Sequence, residues 1–291
     1  MTTFALILVL ISAILHALRN FFTKKGSDSQ IFIWLYVIFS LLFFAPLFVY
    51  SFKVSDFSWD KLYLIILTGG VHSIYWLLLG LGYERGDLSL VYPISRSAPL
   101  FIMIFSMLVF KESFSIRGIA GIIIVTGGLY TLQLRGLSLK DVVTSMQLIV
   151  KTKVVHIALI IALAVSAYSI IDDMGVSFFN PVVFIFLFEA VAFILYTPFI
   201  LLRKTKLNII KEWTLNKKSI IFAGISGIVG YFLVLLAFRI AKVSYVVGFR
   251  ELSIVFGVLL GNKILGEKYG KIRFLGSSMI FAGAFLIGIA K

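Results

Sequence analysis

Apolar residues run along this chain in stretches of about 20, separated by short polar punctuation, and about 20 such residues carry a helix across the hydrocarbon core of a bilayer. Runs near 3–22, 31–52, 61–83, 91–110 and 117–134 form one set. Runs near 154–172, 180–202, 219–238, 243–261 and 273–290 form a second. Polar or turn residues mark the breaks, among them Lys24–Gly26, Asp56–Lys61, Glu84–Asp87, Lys111–Ser115, Asn180–Pro181 and Gly266–Lys271. The pattern predicts an all-α integral membrane protein with ten transmembrane helices.

The two sets read as repeats. A shift of 155 positions aligns Ser89 with Ser244, Val91 with Val246, Phe101 with Phe256 and Glu112 with Glu267 without a gap, and pairs Gly121 with Gly276 and Gly128 with Gly283. Pro46 and Pro198, in the second span of each half, add a separate echo. Five spans is an odd number, so the second five-helix repeat must be inverted relative to the first, a construction common among transporters. The division is 1–136 for the first repeat, 137–152 for a linker and 153–291 for the second repeat. Within Leu137–Lys151, Leu139, Val142, Val143, Met146 and Ile149 recur at helical spacing, as in an amphipathic helix lying on the membrane surface; the alternative is an unstructured connector.

Composition agrees with a bilayer protein: 60% of residues are apolar and 14% charged, more apolar surface than a soluble chain of 291 residues can bury. The formal charge of +14 comes from basic residues lying between apolar runs, such as Arg203–Lys204 and Lys217–Lys218, not from a stripe with interleaved aromatics. They set topology and touch lipid headgroups; nucleic acid is not an expected partner. About sixteen Lys and Arg follow odd-numbered spans, against about seven on the other side, which puts the odd loops in the cytoplasm and both termini outside. With no cysteine, and with His16, His72 and His156 far apart, neither a disulfide nor a metal constellation is expected. The first apolar run lacks the basic flank and cleavage site of a signal peptide and leads into a second span.

An ionisable residue inside a span costs a few kcal/mol or more unless it faces a cavity or a partner, so each is a functional candidate. His16, Arg19 and Asn20 share a helix face near the end of the first span. Either they contact substrate at a cavity mouth, or Arg19 snorkels to headgroups while His16 bonds a neighbouring helix. His72, Tyr75 and Trp76 repeat that spacing in mid-span, where an imidazole and two rings suit a substrate with apolar bulk or a cation. Arg96 follows Tyr92 by one turn and Pro93 by three residues. Under the 155-residue shift it falls on Glu251, next to Arg250, so opposite charges could meet across the repeat axis as a gate, as a site for a zwitterion or as a permanent ion pair. Glu189 lies midway along the seventh span beside Phe186, Phe188 and Phe193, which suits ion coupling or a hydrogen bond to a neighbouring helix. Tyr168 and Asp172 are one turn apart on the sixth span, with Asp172–Asp173 expected at its interfacial end. Glu112 and Glu267 open short turns before the last span of each half, where a carboxylate complements the helix dipole.

The stretch Tyr83-Glu-Arg-Gly-Asp-Leu-Ser-Leu-Val-Tyr-Pro-Ile-Ser-Arg-Ser-Ala-Pro99 resembles the third-to-fourth helix junction of the drug/metabolite transporter superfamily, EamA type. So do His16-Ala17-x-x-Asn20 followed by Lys24 and Lys25, Arg250-Glu251-Leu-Ser-Ile-Val-Phe256, and Leu265-Gly-Glu267 before the last span. The resemblance covers nearly the whole chain. It implies movement of small metabolites such as amino acids, amines, sugars or nucleotide derivatives, in either direction. The chain departs from similar sequences at Arg19, where an aromatic is common, and in its charge count, since many relatives keep both termini in the cytoplasm.

The expectation is a multi-pass secondary transporter of the cell membrane, moving a small polar or amphipathic metabolite by alternating access of its repeats. The alternatives are a flippase for a lipid or lipid-linked sugar, and, much less favoured, an intramembrane enzyme, for which no catalytic cluster is present. Substrate contacts are expected at His16, Asn20, His72, Tyr75, Trp76, Tyr92, Arg96, Tyr168, Arg250 and Glu251, and ion coupling at Glu189. No cofactor or metal is expected. The partners are a small-molecule substrate and membrane lipid, with a homodimer left open.

Overall fold

The computed structural model describes residues 1–85, 95–132, 134, 153–265 and 270–290. Among them are eleven α-helices and no strand: α1 (Thr3–Lys25), α2 (Ser29–Val54), α3 (Leu62–Arg85), α4 (Ala98–Val109), α5 (Ile116–Thr131), α6 (Lys153–Phe178), α7 (Pro181–Arg203), α8 (Lys206–Phe238), α9 (Val243–Arg250), α10 (Leu252–Leu265) and α11 (Lys271–Gly288). Seven are long and apolar enough to cross a membrane alone, α4 and α5 are shorter apolar helices, and α9 with α10 makes one broken crossing. Ten crossings result, in two inverted sets of five. The Met1 amine donates to the carbonyls of Gly288 and Ala290 at 3.1 and 2.8 Å, so both ends of the chain meet on one side, as an even number of crossings requires.

Short polar side chains start the helices where the apolar pattern predicts. Thr2, Asp28, Ser115, Asn180 and Thr205 each accept a backbone N–H from the first turn that follows. Pro181 opens α7, where its missing N–H removes no helical hydrogen bond.

The packing repeats itself under exchange of the halves. Helix α1 packs on α8 as α6 packs on α3, α2 on α8 as α7 on α3, and α1 on α10 as α6 on α4. The pairs α2–α7, α4–α9 and α5–α11 lie across the axis between repeats. The α5–α11 seam shows why glycines punctuate both halves alike. A Cβ on Gly121 would stand 2.7 Å from the Gly283 carbonyl oxygen, and one on Gly276 would stand 2.9 Å from that of Gly128. The 155-residue shift turns the first contact into the second, so one symmetric crossing needs all four positions small. Large side chains including Phe4, Leu42, Leu108, Leu202 and Phe281 face outward, where lipid covers them, while Phe32, Phe184 and Phe188 fill the interior.

Three elements differ from the sequence expectation. Helix α8 begins at Lys206, not near 219, because its polar first turns are an amphipathic extension docked on the α1–α2 turn. Buried Glu212 accepts the Ser27 and Asp28 N–H groups at 3.3 and 3.0 Å, Lys204 pairs with Asp28 at 2.7 Å, and Trp213 stacks on Phe39. Helix α6 runs six residues beyond Asp172, which is therefore not at an interfacial end. The ninth crossing is broken at Glu251, whose N–H reaches back to the Gly248 and Phe249 carbonyls in a tight turn. The expected linker 137–152, Tyr92 and Glu267 lie outside the described residues.

Candidate functional site

Both repeats build one cavity, with about 460 Å³ of empty space including its open side. The first repeat contributes His16 and Arg19 from α1, Tyr36 and Ser40 from α2, and His72, Tyr75 and Trp76 from α3. The second contributes Tyr168 from α6, Phe188 and Glu189 from α7, Gly227 and Tyr231 from α8, and Arg250 from the end of α9. The first three helices of each half thus face each other across it. The 155-residue shift relates His72 to Gly227 and Trp76 to Tyr231, and all four line the space. A Cβ at Gly227 would meet the Arg19 Cδ at 3.0 Å, so the glycine makes room for that side chain.

Two polar clusters share the cavity. In the first, the fully buried carboxylate of Asp172 accepts the Thr68 hydroxyl at 2.5 Å, the Tyr231 hydroxyl at 2.5 Å and His72 Nε2–H at 3.3 Å. The His72 ring stacks between Tyr168 and Phe188, with centroids 4.1 and 4.7 Å away. Four helices, α3, α6, α7 and α8, are tied together at this point. The expectation of an interfacial Asp172 is overturned: the apolar run that seemed to end there continues around a carboxylate whose bonds are supplied from within.

In the second cluster, three guanidiniums converge on His16. Arg19 and Arg250 approach its Nδ1 at 3.0 and 3.1 Å, and Arg96 approaches Nε2 at 2.9 Å. A neutral imidazole offers one nitrogen acceptor, and its other nitrogen carries a proton, so all three donors cannot be satisfied at once. Protonation would remove the remaining acceptor and add a fourth positive charge. The Arg19 and Arg250 nitrogens that share Nδ1 are roughly 6 Å apart at most, a repulsion of about 3 kcal/mol at an effective dielectric of about 20. Arg19 lies over the Tyr36 ring at 5.9 Å and Arg250 over the Tyr231 ring at 5.4 Å, contacts that favour cations without neutralising them.

Among the described residues, Arg96 differs from the other two in having a carboxylate partner, Glu251, at 3.6 Å. Arg96 stands in the turn before α4 and Glu251 in the turn between α9 and α10, and these pseudo-equivalent residues meet across the repeat axis. Glu189 is buried, and among the described residues its Oε2 has no hydrogen-bond partner.

Of the residues singled out from sequence, the structure gathers His16, His72, Tyr75, Trp76, Tyr168, Glu189 and Arg250 around the cavity and pairs Arg96 with Glu251 behind it. Asn20, half-buried on α1, does not line it. Arg19 points inward, not to headgroups; its helical spacing with His16 was the available signal. Tyr36, Ser40, Gly227 and Tyr231 were not singled out, since tyrosine, serine and glycine in an apolar span are compatible with plain packing.

Ten crossings in two inverted repeats, closed around one polar cavity, define an integral membrane protein of the solute-transporter class. The sequence model of the EamA-like transporter family matches residues 3–134 and again 152–289, and the chain belongs to that family of membrane transporters of small molecules. No curated protein matches the chain. Among solved structures 28 chains match. One, described only as the crystal structure of a protein, superposes with a TM-score of 0.77 at 12% identity, covering 98% of this chain and 96% of that one, a likeness of fold.

Proposed function

We propose that the chain is a secondary transporter of the cell membrane, carrying a small polar or amphipathic metabolite through this cavity by rocking its two inverted repeats. The observation that supports the reading is the cavity's joint construction: α1, α2 and α3 face α6, α7 and α8, with ionisable groups from both halves directed into the space between them. The Arg96–Glu251 pair links the turn before α4 to the break between α9 and α10, so it spans the two repeats and would part and re-form as they rock. Glu189 is the group proposed for proton coupling, since a buried carboxyl with an unpartnered oxygen can take up and release a proton as its surroundings change.

Purified protein in proteoliposomes, tested for counterflow of amino acids, amines, nucleotides and carboxylates, tests the reading. Exchange of a solute is expected. Crossing of labelled lipid without solute exchange would replace it with a flippase. Uptake should respond to a pH gradient and lose that response in Glu189→Gln; a response retained in the variant removes Glu189 from coupling.

A further inference from the structure

The cavity contains one polar cluster whose hydrogen bonds are complete and one with more donors than acceptors. The Asp172 carboxylate receives three donors and needs no ligand. At His16 the imbalance runs the other way. Arg19 and Arg250 both line the cavity and crowd one ring nitrogen, and among the described residues neither has a carboxylate at ion-pair distance. Arg250 Nε is buried and also lacks an acceptor there. Among the described residues, the guanidiniums of Arg19, Arg96 and Arg250 gather at His16 with the carboxyls of Glu189 and Glu251, while the third buried carboxylate of the cavity, Asp172, accepts from Thr68, Tyr231 and His72. Paired and planar N–H donors of this kind suit an oxyanion, which can accept from two guanidiniums at once.

We infer that the transported solute carries a compact oxyanion, a carboxylate or a phosphate ester, held between Arg19 and Arg250 beside His16, and an apolar or aromatic body lying along Tyr75, Trp76 and Tyr168. The inference rests on the transporter reading and narrows it to net-anionic solutes. The anion supplies the acceptors that His16 cannot, and separates two like charges with an opposite one. The rings of Tyr75, Trp76 and Tyr168 offer faces and edges to a flat or branched body and bring no charge of their own. A zwitterion would bring its own cation into a region already rich in positive charge, and an amine would bring only that.

Matched probes that differ in their head group test this in proteoliposomes: 3-phenylpropionate, phenyl phosphate, phenylalanine and phenethylamine, each as the counterflow solute, alongside the broader panel. One of the two anions should exchange at least roughly tenfold faster than the zwitterion or the amine, and which anion wins separates carboxylate from phosphate. In Arg250→Gln and Arg19→Gln that exchange should fall roughly ten- to a hundredfold, as expected for loss of a charge-assisted hydrogen bond. Arg250→Lys, which keeps the charge, should retain the preference for anions. Preferred exchange of phenylalanine, phenethylamine or other non-anionic solutes of the panel overturns the inference and leaves the transporter reading intact. Absence of all solute exchange, with or without lipid crossing, overturns the transporter reading itself.

Discussion

The two polar clusters of the cavity have similar surroundings and opposite chemistry. Around Asp172, one acceptor group meets three donors and the geometry closes; around His16, three donor groups meet one acceptor nitrogen and it does not. A buried polar group that is fully bonded holds helices in register, whereas donors in excess of acceptors leave bonding capacity that a ligand could use. Burial alone does not distinguish them, since His16 and His72 are buried to nearly the same degree. The difference is the ground for treating Asp172 as a structural group and for proposing His16, Arg19 and Arg250 as the groups that meet the solute.

The largest expected effect breaks the satisfied cluster. Asp172→Ala strands the Thr68 and Tyr231 hydroxyls and the His72 imidazole without their acceptor, and should cost about 3–5 kcal/mol, seen as a large fall in melting temperature of the protein in nanodiscs. An unchanged melting temperature would show that the cluster does not hold the fold. Next comes a change remote from both clusters. Gly121→Leu forces side-chain atoms against the backbone of α11 and should cost about 1–3 kcal/mol in the same assay, without altering which solutes exchange. A changed solute preference would mean that the seam and the cavity are coupled.

A smaller effect concerns the guanidinium that is already paired. Arg96→Glu and Glu251→Arg should each reduce stability and transport. The double swap should recover a coupling of roughly 0.5–3 kcal/mol in the melting assay. Recovery of normal transport along with stability would confine the pair to a gating or structural role; recovery of stability alone would place Arg96 on the solute path.

The fold was legible because its cause is one-dimensional. Runs of apolar residues long enough to span the hydrocarbon, repeated glycines at a shift of 155 positions and an odd count per half lead to inverted repeats with no tertiary information. The broken ninth crossing was not legible, because Arg250 and Glu251 sit in an apolar run with no proline to mark the turn. The start of α8 was hidden by its own polarity: Lys206, Lys211 and Glu212 read as a basic loop, yet they form a helix docked on the α1–α2 turn. For the cavity, ionisable residues inside spans announce themselves by their cost. His16, His72, Glu189 and Arg250 were therefore visible, and Tyr36 and Tyr231 were not, since a tyrosine ring packs like any other until its partner is known. Asp172 was misplaced because two aspartates in succession look like the end of a span, and only Thr68, His72 and Tyr231, from other helices, make the interior hospitable to one of them.

The smallest expected change in stability carries the central claim. Arg250→Gln removes one of two like charges that share His16 Nδ1, so without ligand the melting temperature should hold or rise. The affinity for whichever of 3-phenylpropionate and phenyl phosphate exchanges better, measured by calorimetry in nanodiscs, should weaken roughly ten- to a hundredfold. An unchanged affinity, or a melting temperature that falls as it does for Asp172→Ala, would contradict the account.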